Sequence, residues 1–297
     1  LHAYKGVFGS HLANVIRRLD RLCAFHGSRP TYICASATIA NPREHAERLI
    51  GKPITLINES GAPEAERHVV FVNPPVVNQQ LGIRRSYLHV ARRVASDLVQ
   101  RKVATIVFVQ SRLNVEILVK YLREDLQKHK MNPSLVQGYR GGYLPTRRRR
   151  IEAGLRAGEV KCVVSTNALE LGIDVGELSA CVIAGYPGSV ASVWQQSGRA
   201  GRRAGESLTV MVAKSTAQDQ YLIENPAYFF DRSPEEARID PDNLFVLLDH
   251  IKCAAFELPF KDGESFGQLG AGETQGVLEH LEAHGVLHRS GKHFHWM

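Results

Sequence analysis

An α/β fold, with a mostly parallel sheet covered by helices on both faces and a small C-terminal winged-helix-like module, is what this 297-residue sequence predicts. Two observations carry that expectation. Through the middle of the chain, short apolar runs rich in β-branched residues alternate with stretches of helical period, and such alternation makes right-handed βαβ units. After Ala213 the pattern changes to two helical segments followed by a short segment centred on Gly291, which reads as a hairpin.

Taken in order, residues 31–35 (TYICA) are a short apolar run ending in small residues and read as a strand. Residues 58–75, rich in Gly, Pro and Glu and closing on VFVNPP, read as a linker entering a new sheet. Residues 104–109 (ATIVFV) form a strand pattern, and 112–128 follow as a helix with Leu113, Ile117, Leu118 and Leu122 at helical spacing. A weak strand at 134–136 precedes a helix over 145–157 that has Pro145 in its first turn. Residues 161–165, 180–184 and 208–212 are three more short buried strands. Residues 240–256 carry Leu244, Leu247, Leu248 and Ile251 on one helical face; 272–284 form a second helix and 286–296 the hairpin.

Apolar residues make up 44% of the chain and charged residues 23%, which is globular composition and excludes a disordered or fibrous protein. The net charge is 37 − 30 = +7, a mild lean toward a polyanionic partner. No apolar run approaches the length of a membrane-spanning helix. The first residues lack the charged-then-apolar profile of a signal peptide. The five cysteines are far apart and none forms a C-x-x-C pair, so neither a disulfide framework nor a zinc site is expected. A reducing, cytosolic setting fits them. Residue 1 is Leu, so a processed chain or a piece of something longer is expected.

The densest chemical signal is QQSGRAGRR at 195–203. Arg199 and Arg202 stand three apart on one helical face. A guanidinium fork suits phosphate oxygens, and two at this spacing suit a transferring γ-phosphoryl group as arginine fingers. A plain basic surface helix would have no need of Gln195, Gly198 and Gly201. Upstream, STNALELGIDVG at 165–176 directly follows a buried strand, and ligands gather at the carboxyl ends of strands in open α/β sheets. Thr166 and Asn167 can donate to phosphates there, and Asp174 can hold a ribose hydroxyl or pair with an arginine; the alternative is a plain strand-to-helix turn. Ser36, Ala37 and Thr38 follow the run TYICA, and VFVQSR ends a strand with Ser111 and Arg112. Each of these short pieces is common by itself. The four arginines 147–150 read as a solvated face, because consecutive residues point all round a helix. The 13 histidines are scattered, and no metal site is expected.

Together these segments resemble the superfamily 2 helicase core. Ser-Ala-Thr, VFVQSR, TNALELGID and Q-x-x-G-R-x-G-R match its motifs III, IV, V and VI in order. LHAYKGVFGSHLANVIRRL is similar to the segment after the Asp-Glu of a D-E-x-H box, with Leu1 and His2 as the last two letters of the box. YRGGYLPTRRRRIEAGLRAGE, ALELGIDVG, AGYPGSVASVWQQSGRAGRR and DNLFVLLDHIKCAAFELPF are similar to helicases of the mitomycin repair factor A, RecQ4-related type.

The resemblance implies two RecA-like domains with ATP between them and a nucleic-acid strand across their top. It assigns 1–58 to the end of the first domain and 59–213 to a linker and the whole second domain; 214–297 becomes an incomplete accessory module. Arg199 and Arg202 become the phosphate-sensing arginines. Gly172, Asp174 and Gln195 contact the nucleotide, and His2 links the nucleotide site to motif III. Ser36, Ala37, Thr38, Ser111, Arg112, Thr166 and Asn167 touch the nucleic-acid backbone or couple it to hydrolysis. The implied activity is 3′–5′ DNA unwinding or translocation in repair, with ATP and Mg²⁺ as cofactors, single-stranded or forked DNA as partner, and no membrane. An RNA helicase of the same superfamily and a non-catalytic nucleic-acid-binding relative are the alternatives. The departures are informative. There is no G-x-x-x-x-G-K-[ST] loop, since Gly51-Lys52 runs into Pro53, and no Asp-Glu pair to hold Mg²⁺. The family's later zinc-binding cysteine cluster is missing too. These 297 residues are therefore expected neither to bind ATP through their own residues alone nor to hydrolyse it.

Overall fold

The computed structural model describes residues 1–59, 61, 66–170, 176, 178–201, 205–231 and 233–297. The chain divides into two compact units, Leu1–Glu59 with Glu235–Met297, and Ser60–Pro234. The first unit opens with helices α1 (Gly6–Phe25) and α2 (Pro42–Ile50). The second begins with strands β1 (Glu66–Val72), β2 (Val76–Asn78) and β3 (Ile83–Arg84), then α3 (Tyr87–Gln100), β4 (Thr105–Phe108) and α4 (Arg112–Lys128). It continues with β5 (Val136–Tyr139), α5 (Pro145–Arg156), β6 (Cys162–Ser165), β7 (Ala180–Ala184), α6 (Val190–Ser197), β8 (Glu206–Val212), α7 (Ala217–Glu224) and α8 (Ala227–Phe230). The chain then returns to the first unit as α9 (Leu244–Glu257), β9 (Phe260–Lys261), α10 (Ala271–Ala283), β10 (Leu287–Ser290) and β11 (His293–Trp296).

The second unit is the expected parallel sheet with helices on both faces. Its strands lie in the order β1-β8-β7-β4-β6-β5, and every neighbouring pair is parallel. All residues of β4, β6 and β7 are buried, as a doubly covered sheet requires. Side-chain alternation splits them between two cores. Ile106, Phe108, Val163, Cys181, Ile183 and Met211 enter one; Val107, Cys162, Val164, Val182, Val210 and Val212 enter the other. Helix α4 starts where the Ser111 Oγ accepts the Asn114 N–H at 3.1 Å, a cap of about 1 kcal/mol. Its apolar stripe is Val115, Leu118, Val119, Leu122 and Leu126. Leu113, expected on that stripe, is exposed because the capping turn points it outward. Helix α8 buries Phe229 against Phe71 and Tyr186 in the first of the two cores.

Two expected strands differ. Residues 134–136 are mostly a 3₁₀ turn (Pro133–Leu135) running into β5. Residues 31–35 form no strand: Ile33 is 95% exposed, and among the described residues no strand lies alongside to complete a ladder.

The first unit contains the winged-helix-like module. Helices α9 and α10 close over an antiparallel sheet ordered β10-β11-β9, with Leu247, Ile251, Phe260, Leu278, Leu287 and Phe294 among its core residues. Helix α1 grips this module with three arginines. Arg17 meets both carboxylate oxygens of Asp242 at 2.8 and 3.1 Å, and Arg18 meets both of Glu257. Arg21 binds Glu264 at 2.5 and 3.2 Å and also donates to the carbonyls of Ala254, Leu258 and Pro259. Forked pairs of this kind fix orientation as well as adding attraction.

The same unit buries two histidines, His45 and His250. Burial lowers both below the ordinary 6.5, and for His250 the neighbouring Arg18 guanidinium and His11 lower it further. Arg18 Nη1 lies 3.3 Å from His250 Nδ1 and can only donate, so the His250 proton sits on Nε2, 3.0 Å from His11 Nδ1. The folded state therefore resists protonation that the unfolded chain accepts. Stability is complete above pH 6.5 and falls as the pH drops from there toward the lowered folded values, by at most about 1.4 kcal/mol per pH unit for each histidine. Chemical denaturation at pH 7.5 and 5.5 should show a lower midpoint at 5.5, and His250→Gln should shrink that difference. An equal midpoint at both pH values would contradict the buried, neutral assignment.

Candidate functional site

In the second unit the chain runs from β4 outward to β5 and β6 on one side, and β7 and β8 lie on the other. The carboxyl ends of β4 and β7 therefore flank the point where strand order reverses, the usual ligand crevice of an open α/β sheet. A cavity of about 550 Å³ lies there, lined among others by Gln110, Asn167, Glu170, Gln196, Lys214 and Asp219.

Two hydrogen-bonded networks wall it. The first is a closed ring joining the ends of β4, β7 and β8. Asp219 Oδ2 accepts the main-chain N–H of Tyr186 at 3.0 Å and of Lys214 at 2.8 Å. The Lys214 ammonium donates to Gln110 Oε1, and Gln110 Nε2 donates to the Tyr186 carbonyl. Thr216 Oγ1 donates to Asp219 Oδ1 at 2.8 Å and accepts the Asp219 N–H, so the first turn of α7 holds the carboxylate in place. The Lys214 stem crosses Gly185, where φ is +84° and a Cβ would stand 2.4 Å from Lys214 Cε, so any other residue there would be strained and would displace the lysine stem. The Lys214 ammonium lies 5.4 Å from the Tyr87 ring centre, and burial raises the Tyr87 hydroxyl above its ordinary value, keeping it protonated.

The second network surrounds Arg199, just past the end of α6. Its side chain is 4% exposed, and Nε and Nη2 donate to the Glu170 carbonyl at 2.8 and 2.5 Å. Glu170 Oε2 in turn accepts Gln196 Nε2 at 3.1 Å.

Measured against the sequence, the second unit brings Asn167 and Arg199 to this edge of the sheet, with Thr166 half-buried beside them. Ser111 is occupied as the cap of α4 and Arg112 is exposed. Gln195 is half-buried, while its neighbour Gln196 lines the cavity. Gly172, Asp174 and Arg202 lie outside the described residues. His2 and Ser36, Ala37 and Thr38 belong to the first unit, where the Ala37 N–H donates to His2 Nδ1 at 2.9 Å and joins the two segments. Sequence reasoning missed Gln110, Glu170, Gln196, Lys214 and Asp219. A readable signal existed for Asp219, since Thr216 and Asp219 stand at capping-box spacing directly after β8.

At the amino ends of β1 and β8, away from the cavity, Glu66, His68 and Glu206 bring ligand atoms within 4.8 Å of one another, all exposed. For a nucleotide, the Arg199 guanidinium suits phosphate oxygens in charge and geometry. The sequence holds no G-x-x-x-x-G-K-[ST] loop to cradle phosphates and no Asp-Glu dipeptide for Mg²⁺.

Residues 86–204 match the helicase conserved C-terminal domain, and 239–297 match the winged helix domain of ATP-dependent helicase HRQ1. The chain is 57% identical over 296 residues to the uncharacterized ATP-dependent helicase YprA of Bacillus subtilis, covering 100% of this chain and 39% of that protein. It belongs to the superfamily 2 helicases of the mitomycin repair factor A, RecQ4-related type. Within this helicase family it is also 40% identical over 274 residues to ATP-dependent helicase HRQ1 of Saccharomyces cerevisiae, covering 87% of this chain and 25% of that one. A crystal structure of the DUF1998 helicase MrfA bound to DNA and AMPPNP superposes with a TM-score of 0.94 at 56% identity, covering 100% of this chain and 41% of that one. The chain thus spans well under half the length of these helicases. Among the described residues, no helix is long and apolar enough to cross a membrane.

Asp219→Ala would leave the buried Tyr186 N–H and the half-buried Lys214 N–H without their acceptor. The expected loss is roughly 3 kcal/mol, the scale for a buried charged acceptor with several donors, measured by chemical denaturation. A loss under about 0.5 kcal/mol would mean that the ring does not hold the strand ends.

Proposed function

We propose that the whole protein is an ATP-dependent DNA helicase or translocase that moves 3′ to 5′ along a single strand and acts in DNA repair. The observation that carries this reading is the buried Arg199 guanidinium, seated by hydrogen bonds at the carboxyl edge of the sheet within Q-x-x-G-R-x-G-R. Support for the nucleotide comes from the names of YprA and HRQ1, both ATP-dependent helicases, and from MrfA, whose crystal structure holds AMPPNP. Support for DNA comes from that same MrfA complex.

In this reading Arg199 and Arg202 stabilise charge on the transferring phosphoryl group, with Gly172, Asp174 and Gln195 against the nucleotide. Bound with ATP, Mg²⁺ supplies charge neutralisation at the phosphates; the cradle and the carboxylates for it come from residues other than these 297. His2, through its bond to Ala37, ties the nucleotide side of the first unit to Ser36 and Thr38. Ser36, Ala37, Thr38, Ser111, Arg112, Thr166 and Asn167 grip single-stranded or forked DNA by its backbone, which makes the grip insensitive to base sequence and sensitive to salt.

In the whole protein, Arg199→Ala or Arg202→Ala should lower ATP turnover by roughly 10³-fold, the scale of a lost arginine finger. ATP binding should change far less, because the fingers act on charge that develops in the transition state. Steady-state ATPase assays with nucleotide titrations test this; near-normal turnover in both variants would sink the assignment. In the same assay single-stranded DNA should stimulate turnover more than RNA of matched length does. The reverse order would make the protein an RNA helicase.

Residues 1–297 alone should bind single-stranded DNA weakly, with affinity falling as salt rises, and should not turn over ATP. Robust strand-stimulated ATPase activity of this chain would reveal a phosphate site within it.

A further inference from the structure

We propose that Glu170 is a positioning residue for Arg199, acting through two different atoms at once. This rests on the reading of Arg199 as a group that stabilises the transferring phosphoryl charge. Three residues form a closed triangle. The Arg199 guanidinium donates twice to the Glu170 carbonyl, the Glu170 carboxylate accepts from the Gln196 side chain, and the Arg199 N–H donates to the Gln196 carbonyl at 3.1 Å. All three residues are at least nine-tenths buried, so solvent screens these contacts little.

The carbonyl that receives the guanidinium belongs to the residue capping a single 3₁₀ turn, Asn167–Leu169. A turn that short has little rigidity of its own. Two anchors hold it. The Leu169 side chain is fully buried in the sheet's core, and the Glu170 carboxylate is moored to Gln196 on α6. Helix α6 is in turn fixed on β7, where the Cys181 thiol donates to the Gln196 carbonyl at 3.3 Å. The carboxylate thus sets where its own carbonyl stands, and the carbonyl sets where the guanidinium stands. Displacement of a transition-state group by about 1 Å can cost roughly 10²-fold in rate.

The geometry also says what kind of side chain position 170 needs. A carboxylate only accepts, so it fixes the Gln196 amide with Nε2 inward and leaves Gln196 Oε1 buried without a partner. A primary amide at position 170 would accept from Gln196 Nε2 and donate to Gln196 Oε1. Positioning therefore requires hydrogen bonding, not negative charge, and this separates it from a role as a proton acceptor.

The test uses the whole protein, with ATP turnover, KM for ATP and single-strand affinity measured for E170A, E170Q, Q196A and R199A. E170A should lose roughly 10- to 100-fold in kcat, with KM and strand affinity within about threefold. E170Q should recover most of that loss. Q196A, which cuts the same bond from the other side, should reproduce it and stands in if E170A does not fold. The double variant E170A/R199A should be no slower than R199A alone, because the first change has nothing left to misplace. If E170Q is as slow as E170A, the charge itself acts and the positioning role is overturned. Normal kcat in E170A and Q196A, with R199A inactive, would overturn it while leaving the finger intact. A normal R199A would instead remove the functional reading beneath it.

Discussion

Strands β4, β6 and β7 are buried along their whole length, so polar groups that the ladder does not use emerge at the strand ends. Buried main-chain N–H and C=O groups must find partners, and a strand end inside a doubly covered sheet cannot take them all from water. The second unit meets this demand with side chains. Asp219 takes two N–H groups from the loops after β7 and β8, and Gln110 takes a carbonyl from one of them. The result is a wall of fixed polarity around an open crevice. The cavity opens where strand order reverses, and the ring ties together the loops that border it.

The first unit solves a different problem with a different chemistry. Its two parts are separated by 175 residues of sequence, Ser60–Pro234, and must still behave as one body. Apolar contact between α1 and the returning chain is modest, with Ala13 and Ile239 at its centre. Forked pairs from Arg17, Arg18 and Arg21 supply the rest, each to a carboxylate on a different part of the returning chain. Their side chains are only 10–19% exposed, so solvent screens them less than it would surface pairs. Removing one partner of such a pair leaves a poorly solvated charge behind, which gives the arrangement its specificity.

Much of the second unit was legible because a parallel sheet writes itself in short continuous apolar runs. The runs at 104–109, 161–165 and 180–184 fall on β4, β6 and β7 almost to the residue. The run TYICA has the same composition and forms no strand, since a strand exists only beside another and composition does not report a neighbour. The candidate site divides in the same way. Arg199 was legible as a local pattern of glycines and guanidinium groups. Asp219 and Lys214 were not, because their meaning lies in a ring closed by three segments, after β4, β7 and β8, that are remote in sequence.

The two glutamines of α6 show why the motif reading and the structure emphasise different neighbours. Successive residues on a helix point about 100° apart, so Gln195 and Gln196 cannot serve the same side. The motif spacing singles out Gln195. The packing commits Gln196, through Glu170, to the network that seats Arg199 and to the cavity wall at the same time. The last turn of α6 therefore touches two surfaces, one lined by the strand-end loops and one carrying the guanidinium. One hydrogen-bonded residue at this helix end is thus shared between the cavity wall and the seat of the charged side chain.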